Sequence, residues 1–114
     1  MKPGQLSLNE FEVAILEHIA KDEPSIRLLI PQLRVLSRKF TGVGSYATLD
    51  CHDSSPDLED RPVGHPNITM PDVPNSMGAV LFCEIGKPKT LETYTYGDEH
   101  WDGNYEGFSI DKAA

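Results

Sequence analysis

A chain of 114 residues with 18 acids against 10 lysines and arginines has room for one hydrophobic core and is too short for two ordinary domains, so one domain, 1–114, is expected. The formal charge of −8 argues against a nucleic-acid ligand, and 39% hydrophobic with 25% charged residues places the chain outside the compositional range of disorder. Apolar runs such as Leu28 to Ile30 and Ala79 to Phe82 fall far short of the about 20 residues a membrane helix needs, so no membrane partner is expected.

Ser7 to Glu10 has the form of a capping box and predicts a helix start. Leu8, Phe11, Ile15 and Ile19, widened by Ala14 and Leu16, then predict an amphipathic helix from about Leu8 to Lys21. Asp22, Glu23 and Pro24 end it, and Ser25 is available to cap a second helical segment that runs to Ile30, ahead of Pro31. Leu33 to Phe40 and Tyr46 to Leu49 read as strands joined by a turn or bulge at Thr41 to Gly44.

Asp50 to Pro66, with three prolines and few apolar residues, reads as a long loop. A brief strand is predicted at Asn67 to Met70. Gly78 to Glu84 then reads as a central strand covered on both faces, because its apolar run is continuous. A turn over Ile85 to Pro88 leads into an antiparallel partner, Lys89 to Tyr96. Along that strand Leu91, Thr93 and Thr95 share one face, which is poorly apolar and expected to be half exposed. Tyr94 and Tyr96 lie on the other, where burial is expected. Gly107 to Asp111 adds an edge strand. Helices followed by strands define an α+β fold, with one or two N-terminal helices packed on a mainly antiparallel sheet of four or five strands.

Few residues suggest chemistry. Asp50, Cys51, His52 and Asp53, with Asp57 and His65 nearby, group potential ligands, but adjacent ligands are a poor tetrahedral pattern and no zinc motif is present. A small metal-dependent hydrolase using the 50–65 loop is therefore an alternative reading, and the leading expectation names no metal, no cofactor and no catalytic residue. Without a visible secretory signal, Cys51 and Cys83 are expected as free thiols in a cytoplasmic protein. The Thr41 to Ser45 stretch lacks the glycine pattern and lysine of a phosphate loop.

The acids are unevenly spread: residues 1–49 hold five acids and six bases, so the remaining 13 acids and four bases fall in 50–114. The densest mixture of rings and acids is Leu91 to Tyr105. There Asp98, Glu99, Trp101, Asp102 and Tyr105 are candidate partner-binding residues, aromatic anchors with an acidic rim suited to a basic protein; in the competing reading Trp101 plugs the core, its indole N–H bonded to a loop carbonyl. A second alternative is a ligand-binding domain in which Tyr94, Tyr96 and Trp101 form an aromatic platform. A homodimer through an exposed strand edge is compatible with each reading.

Three stretches carry a resemblance: Phe40-Thr41-Gly42-Val43-Gly44, Pro74-Asn75-Ser76-Met77-Gly78-Ala79-Val80-Leu81-Phe82, and Leu91 to Tyr96 followed by Glu99 and Trp101. Over Ser37 to Trp101 the chain resembles a group of small uncharacterised bacterial proteins. That group has no established activity, so the resemblance implies no catalytic residues. In size and charge the chain is also similar to immunity proteins encoded beside bacterial toxins. The leading expectation is accordingly a small acidic, non-catalytic binding protein of immunity type.

Overall fold

In the computed structural model, which describes residues 6–64 and 66–111, helix α1 (Glu10–Ala20) begins two residues later than the sequence pattern predicts. Asn9, rather than Ser7, closes the capping box. Its side chain accepts from the Glu12 amide at 2.8 Å, and its own amide donates to Glu12 Oε1 at 2.9 Å. Helix α2 is a single turn, Pro24–Arg27, opened by its proline and without the side-chain cap expected from Ser25. A 3-10 turn, Ile30–Gln32, takes up Pro31.

Seven strands follow: β1 (Arg34–Phe40), β2 (Gly44–Asp50), β3 (Pro62–Val63), β4 (Asn67–Thr69), β5 (Met77–Glu84), β6 (Lys87–Thr95) and β7 (Ser109–Asp111). They form one antiparallel sheet in the order β1-β2-β6-β5-β4-β7, with β3 also paired to β5. The α+β class with N-terminal helix on the sheet is as expected, and the sheet is wider. β3, a two-residue strand inside the long loop, is too short for any alternation pattern to reveal.

Phe11, Ile15, Leu16 and Ile19 of α1 pack on Val35, Leu49, Ile68, Ala79, Leu81 and Leu91 of the sheet, and all are buried. The helix comes close enough at Gly64 that a Cβ there would fall 2.4 Å from Ile19 Cγ1. Extents of 38 × 37 × 20 Å describe a thin slab. With packed layers about 10 Å apart, that thickness fits one sheet and one covering layer.

The faces of β6 are the reverse of the sequence expectation. Leu91, Thr93 and Thr95 are buried, while Tyr94 is half-buried and Tyr96 exposed. Two polar contacts permit this: the Thr93 and Ser45 hydroxyls bond each other at 2.7 Å, and Thr95 Oγ1 donates to the Glu99 carbonyl at 2.7 Å. A hydroxyl whose hydrogen bond is made inside loses little on burial. The expectation that β5 is covered on both sides fails only at Phe82: Met77, Ala79 and Leu81 face the core and Val80, on the opposite face, is also buried, whereas Phe82 is exposed there.

Candidate functional site

The five residues proposed from sequence as a partner-binding patch gather at one end of the slab, but not as a patch. Trp101 is 1% exposed, with its ring centroid 5.6 Å from Phe40, 5.4 Å from Tyr105 and 6.2 Å from Phe11. Its indole N–H donates to the Asn104 carbonyl at 3.2 Å, and its amide to the Gly42 carbonyl at 3.0 Å. Trp101 is thus a core residue and cannot anchor a partner, because burying it here satisfies both its ring and its N–H.

The remaining four divide between structural roles and the rim. Tyr105 is half-buried against Phe11 and Trp101. Glu99 accepts from the Asn75 amide at 3.1 Å and from Asn75 Nδ2 at 2.9 Å, so it ties two loops. Asp102, exposed, accepts from the Asn104 amide at 2.9 Å. The side chain of Asp98, like all of His65, lies outside the described residues. The aromatic platform of Tyr94, Tyr96 and Trp101 is also not assembled, because the tyrosines are on the open face of the sheet and Trp101 is under the other.

Sequence reasoning passed over the most constrained ion pair in the molecule. Glu12, in α1, is buried, and Arg38, in β1, reaches it with two hydrogen bonds, Nε to Oε2 at 2.9 Å and Nη2 to Oε1 at 2.7 Å. Nη2 also donates to the Ser7 carbonyl at 2.9 Å. Glu12 raises the Arg38 pKa further through its hydrogen bond. Because the carboxylate also accepts from the Asn9 amide, its lone pairs are engaged, and it serves as a clasp between helix and sheet. The sequence had nothing to single out Glu12 from Glu10 and Glu17 of the same helix, and its partner lies 26 positions away.

The described residues of the 50–65 loop do not bring a set of metal ligands together. Among the described residues no three His, Cys, Asp or Glu side chains are grouped to hold an ion. His52 is almost fully exposed, 3.9 Å from Asp53. Instead the loop is stitched to its surroundings: Gln32 and Asp53 exchange two hydrogen bonds of 3.0 Å, Ser55 N–H donates to the Gly86 carbonyl at 2.8 Å, and Ile85 N–H donates to Asp60 Oδ1 at 2.8 Å. Both cysteines are buried free thiols. Burial, ahead of the nearby acids, pushes the Cys51 thiol up, and burial followed by Glu23 pushes Cys83 from its ordinary 9.0 to about 11.

Two consequences follow for the thiols. Neither should react with a disulfide reagent at pH 8 until the chain unfolds. A thiol whose folded pKa lies above its unfolded value favours the fold while it is protonated, so Cys83's contribution is complete below about pH 9 and is lost as pH rises through about 11. Urea titrations at pH 8 and pH 11 should show that fall, and Cys83→Ala should flatten it.

Where the loop meets the β5–β6 turn, the molecule presents its two most exposed large aliphatic side chains, Leu28 at 78% and Ile85 at 77%. Leu28 shares a cleft with Ser54 and Ser55, and Gly86, next to Ile85, packs on the same two serines. Leu28 lines a cleft of about 600 Å³ with Pro24, Leu29, Ser55, Pro56 and Asp57, and Gly86 packs so close that a Cβ would fall 2.6 Å from the Ser55 carbonyl. Ile85 has φ +53° and Gly86 φ +71°, the signature of a type I′ turn. A β-branched residue is a poor choice there, since the left-handed region costs roughly 1–2 kcal/mol for a residue with a Cβ.

The other uncovered surface is the open face of the sheet. Cross-strand register sets Lys39, Tyr46, Glu92 and Val80 in one row, and Thr48, Thr90 and Phe82 in the next. Tyr94 and Tyr96 meet edge to face at 5.7 Å and lie over Gly78, where a Cβ would be 2.7 Å from Tyr96 Oη and 2.8 Å from the Tyr94 ring. Gly78 thereby leaves room for two rings on the bare face.

These features define the class: an acidic α+β protein with one covered and one bare sheet face, a stitched acidic loop, and no described helix long and apolar enough to cross a membrane. No protein family, no curated protein and no solved structure matched the chain.

Proposed function

We propose that this chain is a non-catalytic binding protein that docks a basic protein partner at its loop end, as an immunity-type inhibitor docks its toxin. The observation that carries the reading is the pair of aliphatic side chains, Leu28 and Ile85, exposed on either side of an acidic loop. Apolar anchors set in a rim of one charge sign are the arrangement that gives affinity at the centre and steering at the edge. Around them stand the exposed acids Asp53, Asp57, Glu59 and Glu84. Ile85 keeps a strained turn position that asparagine would fill more easily, which is the pattern of a residue retained for contact. The free thiols of Cys51 and Cys83 suit a reducing cytoplasm. The resemblance of Phe40 to Gly44, Pro74 to Phe82 and Leu91 to Trp101 to small bacterial proteins supports a bacterial setting.

Ile85→Asn separates stability from binding. It should stabilise the fold by about 1 kcal/mol, because asparagine tolerates the left-handed region, and weaken capture of the basic partner at least tenfold, because the anchor is lost. The measurement is affinity capture from the native host with wild type, Leu28→Ala and Ile85→Asn, followed by titration of the captured protein. If wild type retains no basic protein that the two variants fail to retain, the reading is wrong.

A further inference from the structure

We infer that the bare face of the sheet is the interface of a homodimer, the occupant being a second copy of this chain. Three observations meet there. First, β5 is apolar from Met77 to Cys83, the composition of a strand buried on both faces, and while Val80 on its open side is already covered, Phe82 beside it is left about 40% exposed. Tyr46 on β2 and Tyr96, just past the end of β6, are exposed to the same degree, and Tyr94 on β6 is half-buried. Rings of that kind on a flat face are what a packed sheet interface uses.

Second, the face departs from the charge of the rest of the molecule. The chain carries −8, but the open face holds Lys39 and Glu92 in one cross-strand row, and Lys89 borders a cleft of about 400 Å³ beside Phe82 and Thr90. A strongly basic partner would find little excess negative charge here. A second copy would find charges of both signs, and it can avoid the self-repulsion that an acidic surface would impose.

Third, the pattern is self-complementary. The ladder is shifted at Phe82 and Cys83, which sets Lys89 beside Thr90 on β6, one step along from Glu92. A two-fold axis that crosses β5 between Val80 and Phe82 lays Phe82 of each copy on the partner copy's valine at position 80. The same operation brings Glu92 of each copy over the lysine at position 89 of the other. An isologous contact requires this reciprocity. An outline of 38 × 37 Å is larger than the roughly 800 Å² per partner of a standard interface. Neither Leu28 nor Ile85 is among the residues this two-fold pairs, and the dimer test uses other positions, so it can fail independently of the proposed partner docking.

Light scattering coupled to size exclusion, on the full chain at about 100 μM, well above the dissociation constant of a modest interface, tests it. Wild type should elute at twice the 12.6 kDa chain mass. Phe82→Asp should be monomeric. Glu92→Lys should weaken the dimer at least tenfold by setting lysine against lysine, and the double exchange Glu92→Lys with Lys89→Glu should restore it. Circular dichroism and urea midpoints identify any variant that merely unfolds, and the charge exchange, confined to half-exposed positions, keeps the test decisive. A monomeric wild type overturns the inference, as does a dimer indifferent to both Phe82→Asp and Glu92→Lys.

Discussion

Arg38→Ala should destabilise the protein by about 3–4 kcal/mol, and Glu12→Ala by about 2 kcal/mol, although the two residues share one ion pair. The difference comes from what each substitution leaves behind. The Glu12 side chain is 4% exposed and the Arg38 side chain 26%. Without Arg38, a carboxylate remains enclosed with only the Asn9 amide for company. Without Glu12, the guanidinium keeps the Ser7 carbonyl and reaches water. Helix α1 then also loses its capping box, a cost of about 1 kcal/mol contained in the figure given. The double variant should cost clearly less than the two singles added, because no charge is stranded in it. Urea unfolding of the four proteins measures this directly. Equal effects from the two singles would show that the pair is solvated in practice and that the clasp between α1 and β1 is weak.

Trp101→Ala should cost about 4 kcal/mol, the range for removing a large ring from a packed core. The void would open among Phe11, Phe40 and Tyr105, whose centroids surround the indole, and the Asn104 carbonyl would lose its donor. Trp101→Phe should cost about half as much, since a ring is kept and the N–H is not. Before any substitution, the single tryptophan should emit at a short wavelength and resist quenching by iodide. A loss below about 1 kcal/mol for Trp101→Ala would mean that the aromatic end contributes little to the core.

Helix α1 and the β5–β6 hairpin were legible because each is written in local periodicity. Leu8, Phe11, Ile15 and Ile19 need only their own spacing to define a stripe. The errors all concern relations between distant residues. Alternation along β6 correctly grouped Leu91 with Thr93 and Thr95, but which group is buried depends on Ser45 and on the Glu99 carbonyl. Trp101 stood open between surface anchor and core plug because its acidic neighbours are local, whereas Phe11 and Phe40, which enclose it and decide for the core, are not. The capping box moved from Ser7 to Asn9 because Glu12 answers both to the helix and to Arg38. Of the candidate partner-binding residues, Asp102 alone is both described and exposed in full. The turn at Ile85 was legible but its type was not, since an Ile-Gly sequence does not announce a type I′ turn as Asn-Gly does, and the exposure of Leu28 and Ile85 had no local signal.

The position of β6 in the sheet has a consequence for synthesis of the chain. β6 lies between β2 and β5, with Gly44 opposite Tyr94, so a strand made early waits for one made 50 residues later. On the ribosome, the β1–β2 hairpin therefore carries an unsatisfied edge until residues near 95 have emerged, for a few seconds at roughly 5–20 residues per second. The phenylalanine at position 40 has no tryptophan to meet until later still. Completion of the sheet is thus held back until β6 has been made, and the nascent β2 edge is the segment a chaperone would shield.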